Sequence, residues 1–161
     1  MALDLIPIFS EALMKQQVTA ELISCNEATA EYQLSLTKEE AELLVDTRNE
    51  ALKVTDRLEL GGGIIKKLIL CFKDSPYISQ YNYAETISEL IDTFYYYKNE
   101  TQDEISDDDL IDLMKELFDK KCNGCMALLQ GRDLEAVARA IRYGESIAEQ
   151  EAEEGEDEID E

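Results

Sequence analysis

The chain has 161 residues, of which 45% are hydrophobic, and carries 37 Asp and Glu against 15 Lys and Arg with no histidine. The lack of histidine excludes Ser-His-Asp triads, Cys-His pairs and histidine-ligated zinc or di-iron sites, because each needs imidazole as a base or ligand. The length and apolar content favour a single domain with a real core.

The negative charge is unevenly distributed along the chain. From Glu145 to the C-terminus there are ten carboxylates and no base, so residues 1–144 carry 27 acids and 15 bases, a net charge of −12. A surface of this sign repels phosphate groups, so we expect no direct nucleic-acid partner and no membrane partner. An acidic inhibitor that mimics DNA on a basic partner remains an alternative.

The first residues lack the basic region and long apolar run of a signal peptide. The best apolar stretch, Ile64 to Phe72, is nine residues long and is interrupted by Lys66 and Lys67, whereas a membrane helix needs ~20 apolar residues. We expect a cytoplasmic protein with reduced cysteines.

Apolar residues at helical spacing predict helices along the N-terminal half. The first helix, or two short ones, runs from Phe9 to about Tyr32. A second begins at Thr37, has acids in its first turn and continues to Thr55. Residues 32–36 and 57–60 flank it and alternate apolar with polar side chains, which predicts a short two-stranded ribbon.

Further helices are predicted after a break at Gly61-Gly62-Gly63. They cover Ile64–Phe72, a span from Ala84 through Tyr97, and a span from Ser106 to Phe118. A turn at Cys122–Cys125 precedes a short helix that Gly131 closes, and a last helix covers Leu134 to Ala148.

The predicted fold class is therefore all-α, a compact bundle of five to seven helices with at most one very short β-ribbon. The helical domain comprises residues 1–144. Residues 145–161 form an acidic tail that we expect to be largely disordered, because stacked like charges oppose a helix there.

Residues 98–109 have the outline of an EF-hand calcium loop between two helices. Calcium needs oxygen ligands at the first, third and fifth places, glycine at the sixth and glutamate at the twelfth. Lys98, Asp103 and Asp109 stand at the first, sixth and twelfth places. We therefore interpret this segment as a capped interhelical loop.

Cys122 and Cys125 form a C-x-x-C motif that could bind zinc or act as a dithiol. Zinc would need two further ligands, which without histidine must be Cys25, Cys71 or carboxylates. Lys120 and Lys121 precede the motif and could lower the pKa of a thiol. A cysteine-based metal or redox protein is therefore an alternative, although we expect no cofactor.

The three glycines before Ile64 expose backbone N–H groups at a helix start, and Lys66 and Lys67 follow them. This arrangement can hold an anion, although the P-loop spacing is absent. Turn geometry with positive φ would explain one or two glycines, whereas three in a row indicate close approach of another group to the backbone. A purely structural turn is the favoured interpretation, and contact with a ligand or partner is the alternative.

Six of the eight tyrosines lie in one stretch of the sequence. Tyrosine favours interfaces because its ring is buried while its hydroxyl finds a partner. Three consecutive tyrosines on a helix cannot all face one core, so at least one is expected at the surface. The six are Tyr77, Tyr81, Tyr83, Tyr95, Tyr96 and Tyr97.

Four segments in the middle of the chain read Leu58-Glu-Leu-Gly-Gly-Gly-Ile, Lys67-Leu-Ile, Asp74-Ser-Pro-Tyr and Phe94-Tyr-Tyr-Tyr-Lys-Asn-Glu. Through them, the stretch from Asn26 to Leu117 resembles a family of small uncharacterised proteins from anaerobic Firmicutes. The family is a domain of unknown function, so the resemblance implies a bacterial cytoplasmic setting and no substrate or catalytic residue. The acidic tail and the cysteine pair lie outside that stretch.

The function that these observations favour is non-enzymatic binding of a protein or small molecule, with the oligomeric state open. An enzyme that uses carboxylates or tyrosine is a further alternative. The predicted surface runs from Gly61 to Tyr83 and includes part of the tyrosine run. Its candidate residues are Gly61, Gly62, Gly63, Lys66, Lys67, Ser75, Tyr77, Tyr81 and Tyr96.

Overall fold

A computed structural model describes residues 2–59 and 61–143, with side chains from residue 11 onward. The helices in chain order are α1 Ala2–Ser24, α2 Asn26–Thr29, α3 Lys38–Val54, α4 Gly63–Phe72, α5 Tyr83–Glu100, α6 Asp107–Lys120 and α7 Met126–Leu128, followed by α8 over residues 134–143. Six of these have ten or more residues, and the described part contains no strand. The all-α prediction is confirmed.

Helices α3 and α5 form the centre of the bundle. They pack along each other, with α1 against α3 and α4 lying between α5 and α6. The helical stripes predicted from the sequence are the buried faces: Leu44 and Val45 of α3 and Ile87, Leu90 and Ile91 of α5 are all inaccessible to solvent. Burial of these stripes supplies most of the driving force for folding.

Local chemistry sets the starts of α3 and α6. The Thr37 hydroxyl accepts from Glu40 N at 3.1 Å while the Glu40 carboxylate accepts from Thr37 N at 2.9 Å, a complete capping box. At α6 the Ser106 hydroxyl accepts from Asp109 N at 3.2 Å. Both starts are where the sequence predicts them.

The predicted two-stranded ribbon is wrong, because side-chain amides satisfy the backbone of the first segment. Ser35 N donates to Gln80 Oε1 at 2.8 Å, and Gln80 Nε2 donates to Ser35 O at 3.0 Å. Asn26 makes the same pair of bonds with Leu36, at 2.8 and 3.0 Å. An extended backbone whose polar groups are already paired has no need of a strand partner.

The C-terminal part also differs from the prediction at Gly131. This glycine lies within a π-helical turn, Leu129–Asp133, that connects α7 to α8, so it does not close the short helix. The predicted disordered tail, residues 145–161, falls outside the described residues.

In the part of the chain that the structure describes, no helix combines the length and the apolar character needed to cross a membrane.

Candidate functional site

The three-glycine turn binds carboxylates that belong to the chain itself. Gly62 N donates to Glu21 Oε2 at 3.0 Å, and Ile64 N donates to Glu59 Oε1 at 3.2 Å. These N–H groups are the donors that the sequence analysis assigned to an external anion. Internal carboxylates therefore occupy part of the predicted anion site.

Gly62 has a φ of −90°, which any residue can adopt, so a left-handed turn does not explain it. Gly62 is buried against α1, where an added Cβ would lie 2.8 Å from Glu21 Oε2 and 3.3 Å from Val18 Cγ1. Gly61 contributes its carbonyl, which accepts a hydrogen bond from the Arg48 guanidinium. The close approach expected at this turn is made by α1 and α3 of the same chain.

Glu59 is the centre of a partly buried polar cluster beside this turn. Its Oε1 lies 3.2 Å from Arg48 Nη1, and its Oε2 accepts from the Tyr95 hydroxyl. Burial, with the neighbouring carboxylate, raises the pKa of Tyr95. The cluster joins α3, α4 and α5 to the turn, which is a structural role.

The two lysines after the turn differ in their surroundings. Lys67 is exposed and lies 2.7 Å from Asp108 Oδ1, whose hydrogen bond raises the pKa of that lysine. Lys66 is half-buried, and its Cδ lies 3.7 Å from the position that a Cβ on Gly62 would take.

Ser75 and Tyr77 hold the loop after α4 against the C-terminal end of α6. The Ser75 hydroxyl donates to Asp119 Oδ1 at 2.6 Å. The Tyr77 ring packs edge-on against Phe118 at 6.2 Å, and its hydroxyl donates to Asn123 Oδ1 at 3.2 Å. The Tyr77 side chain also lies against Gly124, where φ is 79° and an added Cβ would overlap the ring.

The predicted tyrosines divide equally between surface and interior. Tyr77, Tyr81 and Tyr96 are exposed, whereas Tyr83, Tyr95 and Tyr97 are buried. Burial raises the pKa of Tyr83 to about 12. Of the nine candidate residues, Gly61, Gly63 and Lys67 line a common cleft beside Glu59, and Tyr96 lines a different and larger one.

The larger cleft, which we call the α3–α5 groove, has a volume of about 910 Å³ and is open to solvent. Its walls come from the last turns of α3, the second half of α5, and the segment from α7 to the start of α8. Two apolar side chains stand exposed there, Val54 at 77% and Tyr96 at 53% of their full accessible area. The full lining is Glu50, Ala51, Val54, Thr55, Asp92, Thr93, Tyr95, Tyr96, Tyr97, Asn99, Ala127, Gln130, Gly131 and Glu135.

Several polar groups of the groove are already paired with one another. Gln130 Nε2 donates to Thr93 Oγ1 at 2.6 Å, and the Thr93 hydroxyl donates to Glu89 O at 2.7 Å. The Tyr97 hydroxyl donates to Gln130 O. Because these groups have partners, the floor presents mainly apolar surface to an occupant.

The charged residues that line the groove are all acidic among the described residues: Glu50, Asp92 and Glu135. Glu135 is neutralised by Arg142, whose Nη2 lies 2.9 Å from it and lowers its pKa. Glu50 and Asp92 make no ion pair within the described part of the chain. Loss of hydration raises the pKa of Asp92.

Sequence reasoning found Tyr96 but missed Val54 and the α7–α8 wall. Val54 is an apolar residue beside the buried α3 stripe rather than in it, and that exception to the 3.6-residue period is the signal that could have identified it. The wall could not be found in this way, because the π-helical turn that forms it has no distinctive sequence pattern.

The loop between α5 and α6 contains its own cation. Lys98 is 6% exposed, and its Nζ lies 2.7 Å from Ile105 O, 2.9 Å from Asp107 Oδ1 and 3.8 Å from Asp103 Oδ1. The ammonium group thus takes the central place that calcium takes in an EF-hand loop. This geometry supports the interpretation of the segment as an interhelical loop.

The two cysteines of the C-x-x-C motif have different environments. Cys125 is exposed, whereas Cys122 is buried and its Sγ donates to Asp133 Oδ2 at 2.9 Å. Burial and then this carboxylate raise the pKa of the Cys122 thiol to about 11, opposite to the lowering that the nearby lysines suggested. Within the described residues no group of three or more Cys, Asp and Glu is arranged to hold a metal.

We expect iodoacetamide at pH 8 to alkylate the exposed Cys125 readily. The buried Cys122 should react about a hundredfold more slowly than a free cysteine, because its pKa of about 11 leaves little of the thiol as thiolate. Peptide mass spectrometry over time measures both rates in one sample. Asp133→Asn should accelerate Cys122 alone. Equal rates for the two native thiols would support the redox alternative.

Comparison with known proteins gives a family but no function. The model of a family of unknown function, DUF6323, matches residues 21–147, and the chain belongs to that family. The match is wider than the stretch from Asn26 to Leu117 and includes Cys122 and Cys125, so the cysteine pair does not lie outside the family region. No curated protein and no solved structure matches the chain.

Proposed function

We propose that this member of a family of unknown function is a non-enzymatic binding protein, and that its α3–α5 groove holds an apolar helical segment of a partner protein. The observation that carries the proposal is the exposure of Val54 and Tyr96 beside a floor whose polar groups are largely paired. Apolar side chains left in contact with water at the edge of a cleft gain free energy when a partner covers them.

The shape of the groove favours one face of a segment over an enclosed small molecule. The cleft is open to solvent, and its walls are provided by helices α3, α5 and α8 with α7. A helix laid in such a groove buries side chains spaced three and four residues apart and leaves its other face in water. The volume of about 910 Å³ has room for several such side chains.

The negative charge of the chain disfavours two possible occupants of the groove, a second copy of the chain and its own C-terminal segment. A second copy carries a formal net charge of −22, and the segment after residue 144 carries ten carboxylates. Either would place more negative charge beside Glu50 and Asp92, whose own charges are unpaired within the described residues. A different protein is therefore the favoured occupant.

The geometry supports the three alternative functions less well. A carboxylate enzyme would be favoured by a pocket that gathers Tyr, Asp and Lys. The smaller cleft beside Glu59 is lined by Tyr95, Asp107 and Lys67, but there the Tyr95 hydroxyl is bonded to Glu59 and Lys67 is bonded to Asp108. The redox alternative needs a thiol activated by a lowered pKa, whereas the pKa of Cys122 is raised. A DNA mimic needs only a negatively charged surface, so that function does not account for the exposed apolar side chains at the edge of the groove.

The test uses a fluorescent, helix-forming peptide with leucines at helical spacing on one face and glutamines on the other. We expect saturable binding by fluorescence anisotropy. Val54→Gln and Tyr96→Ala should each weaken it about tenfold, because each removes a large apolar contact at the edge of the groove. Both side chains are exposed, so neither change should reduce the melting temperature by much.

Leu43→Gln is the matched control, since Leu43 is an exposed apolar residue of α3 that lies outside the groove lining. Its binding should equal that of the native protein. If all three variants bind the peptide like the native protein, or if the peptide does not bind at all, the groove is not the binding surface and the proposal fails.

A further inference from the structure

We infer that Glu50 and Asp92 are the specificity-determining residues of the α3–α5 groove, and that they select a partner segment whose apolar face is flanked by Lys or Arg. This inference rests on the proposed function and adds the charge of the partner to it. It names a basic amphipathic helix as the class of ligand.

The two carboxylates lie on the two helices that the segment would contact. Thr47 Oγ1 of α3 and Ser88 Oγ of α5 are 3.1 Å apart, which fixes where the helices meet. Glu50 follows Thr47 by three residues and Asp92 follows Ser88 by four, so each lies about one turn beyond that contact. Both line the groove. A segment in the groove would thus pass between a carboxylate on α3 and one on α5.

Some acids near the groove are paired with cations of the chain. Asp46 of α3 bonds Lys15 at 2.9 Å, and Glu135 of α8, on the opposite wall, bonds Arg142 at 2.9 Å. Glu50 and Asp92 make no such bond among residues 11–59 and 61–143. A carboxylate beside an apolar surface with no cation to face is favourable only if it can keep its water or receive a cation from outside.

Covering the groove with a segment would remove part of that water. For Asp92 hydration is already reduced, and the pKa of its carboxyl group is raised for that reason alone. The pKa of Glu89, one turn before it, is raised by burial and by the adjacent acids Glu85 and Asp92. An uncharged apolar segment would remove more water from these carboxylates, whereas a segment with a Lys or Arg at its edge would place a cation beside them.

The experiment compares three peptides with an identical leucine face and with Lys, Gln or Glu at the flanking positions. Binding is measured by anisotropy for the native protein, for the double variant Glu50→Gln/Asp92→Asn, and for Glu31→Gln/Asp112→Asn. The last pair is the matched control, because it removes the same two charges from exposed residues that do not line the groove.

We expect the native protein to bind the Lys peptide about tenfold tighter than the Gln peptide and the Glu peptide most weakly. The groove double variant should lose most of the preference for Lys over Gln, and the control variant should keep it. The salt dependence of Lys-peptide binding should fall in the groove variant for the same reason.

Three results overturn the inference in distinguishable ways. If the groove and control variants lose equal affinity for the Lys peptide, the preference comes from net charge and not from Glu50 and Asp92. If neither variant loses affinity, these two carboxylates do not select the Lys peptide and the inference is likewise overturned. In either case, loss of Gln-peptide binding in Val54→Gln would leave the proposed function standing. If no peptide responds to Val54→Gln or Tyr96→Ala, the proposed function fails and the inference fails with it.

Discussion

Arg48→Met should lower the free energy of unfolding by about 3–5 kcal/mol, because it leaves a partly buried carboxylate without its cation. Arg48 is only 2% exposed, and its guanidinium bonds Glu59, the Gly61 carbonyl and Asn49 Oδ1. Methionine keeps much of the apolar length of the side chain, so the loss reports mainly on the polar contacts. Urea unfolding followed by circular dichroism measures it.

A double-mutant cycle separates the pair from the loss of packing. Glu59→Gln can still accept from Ile64 N but carries no charge, so Arg48→Met/Glu59→Gln should be more stable than the sum of the single effects predicts by about 2 kcal/mol. Additive effects of the two changes would show that the arginine stabilises the turn without help from Glu59.

Lys98→Met should lower the free energy of unfolding by about 2–3 kcal/mol, which is the cost of removing a nearly buried ammonium group from three oxygen partners. The change leaves Ile105 O without its donor and Asp107 without its cation, whereas Asp103 keeps Arg57 at 2.7 Å. The variant should therefore melt at a lower temperature than the native protein, and added salt should raise its melting temperature.

Lys67→Met is the control for that experiment. Lys67 also lies 2.7 Å from a carboxylate, that of Asp108, but the side chains are 48% and 72% exposed. Exposed pairs contribute about 1 kcal/mol or less. If the two lysine variants lose the same stability, the interior position of Lys98 carries no special weight and the loop is held by other contacts.

The helices could be predicted because burial and local chemistry agree in this sequence. Arg48 follows Leu44 by four residues and Val45 by three, which places it on the same buried face of α3, and Thr37 and Ser106 cap two helix starts. These signals depend on residues three or four apart, which the sequence displays directly. Contacts between residues far apart in the chain produce no such pattern in the sequence.

The glycine turn is the clearest example of a long-range contact that the sequence conceals. Its free N–H groups and following lysines are correct local features, but Glu21 lies 41 residues from Gly62 and reaches it only after α1 and α4 pack together. A chain with 37 acids offers no means of choosing that one beforehand. The same holds for Asp133, which raises the pKa of the Cys122 thiol from eleven residues away.

The tyrosine-rich stretch predicts only part of the outcome, because burial of each ring depends on helices far away in the sequence. Composition indicated that some of these rings reach the surface, and Tyr96 does. Which faces of α5 are covered depends on α3 and on the wall formed by α7 and α8, so Tyr95 and Tyr97 could not be separated from Tyr96 by spacing alone.

Gln80 and Asn26 hydrogen-bond the backbone of Ser35 and Leu36, and these bonds affect how the protein behaves at high concentration. Successive residues of an extended segment direct their backbone polar groups to opposite sides, and here Gln80 covers one side while Asn26 covers the other. A second chain that tried to add a strand along this stretch would find both rows of donors and acceptors engaged. The segment is therefore protected against edge-to-edge aggregation by two side chains rather than by a neighbouring strand.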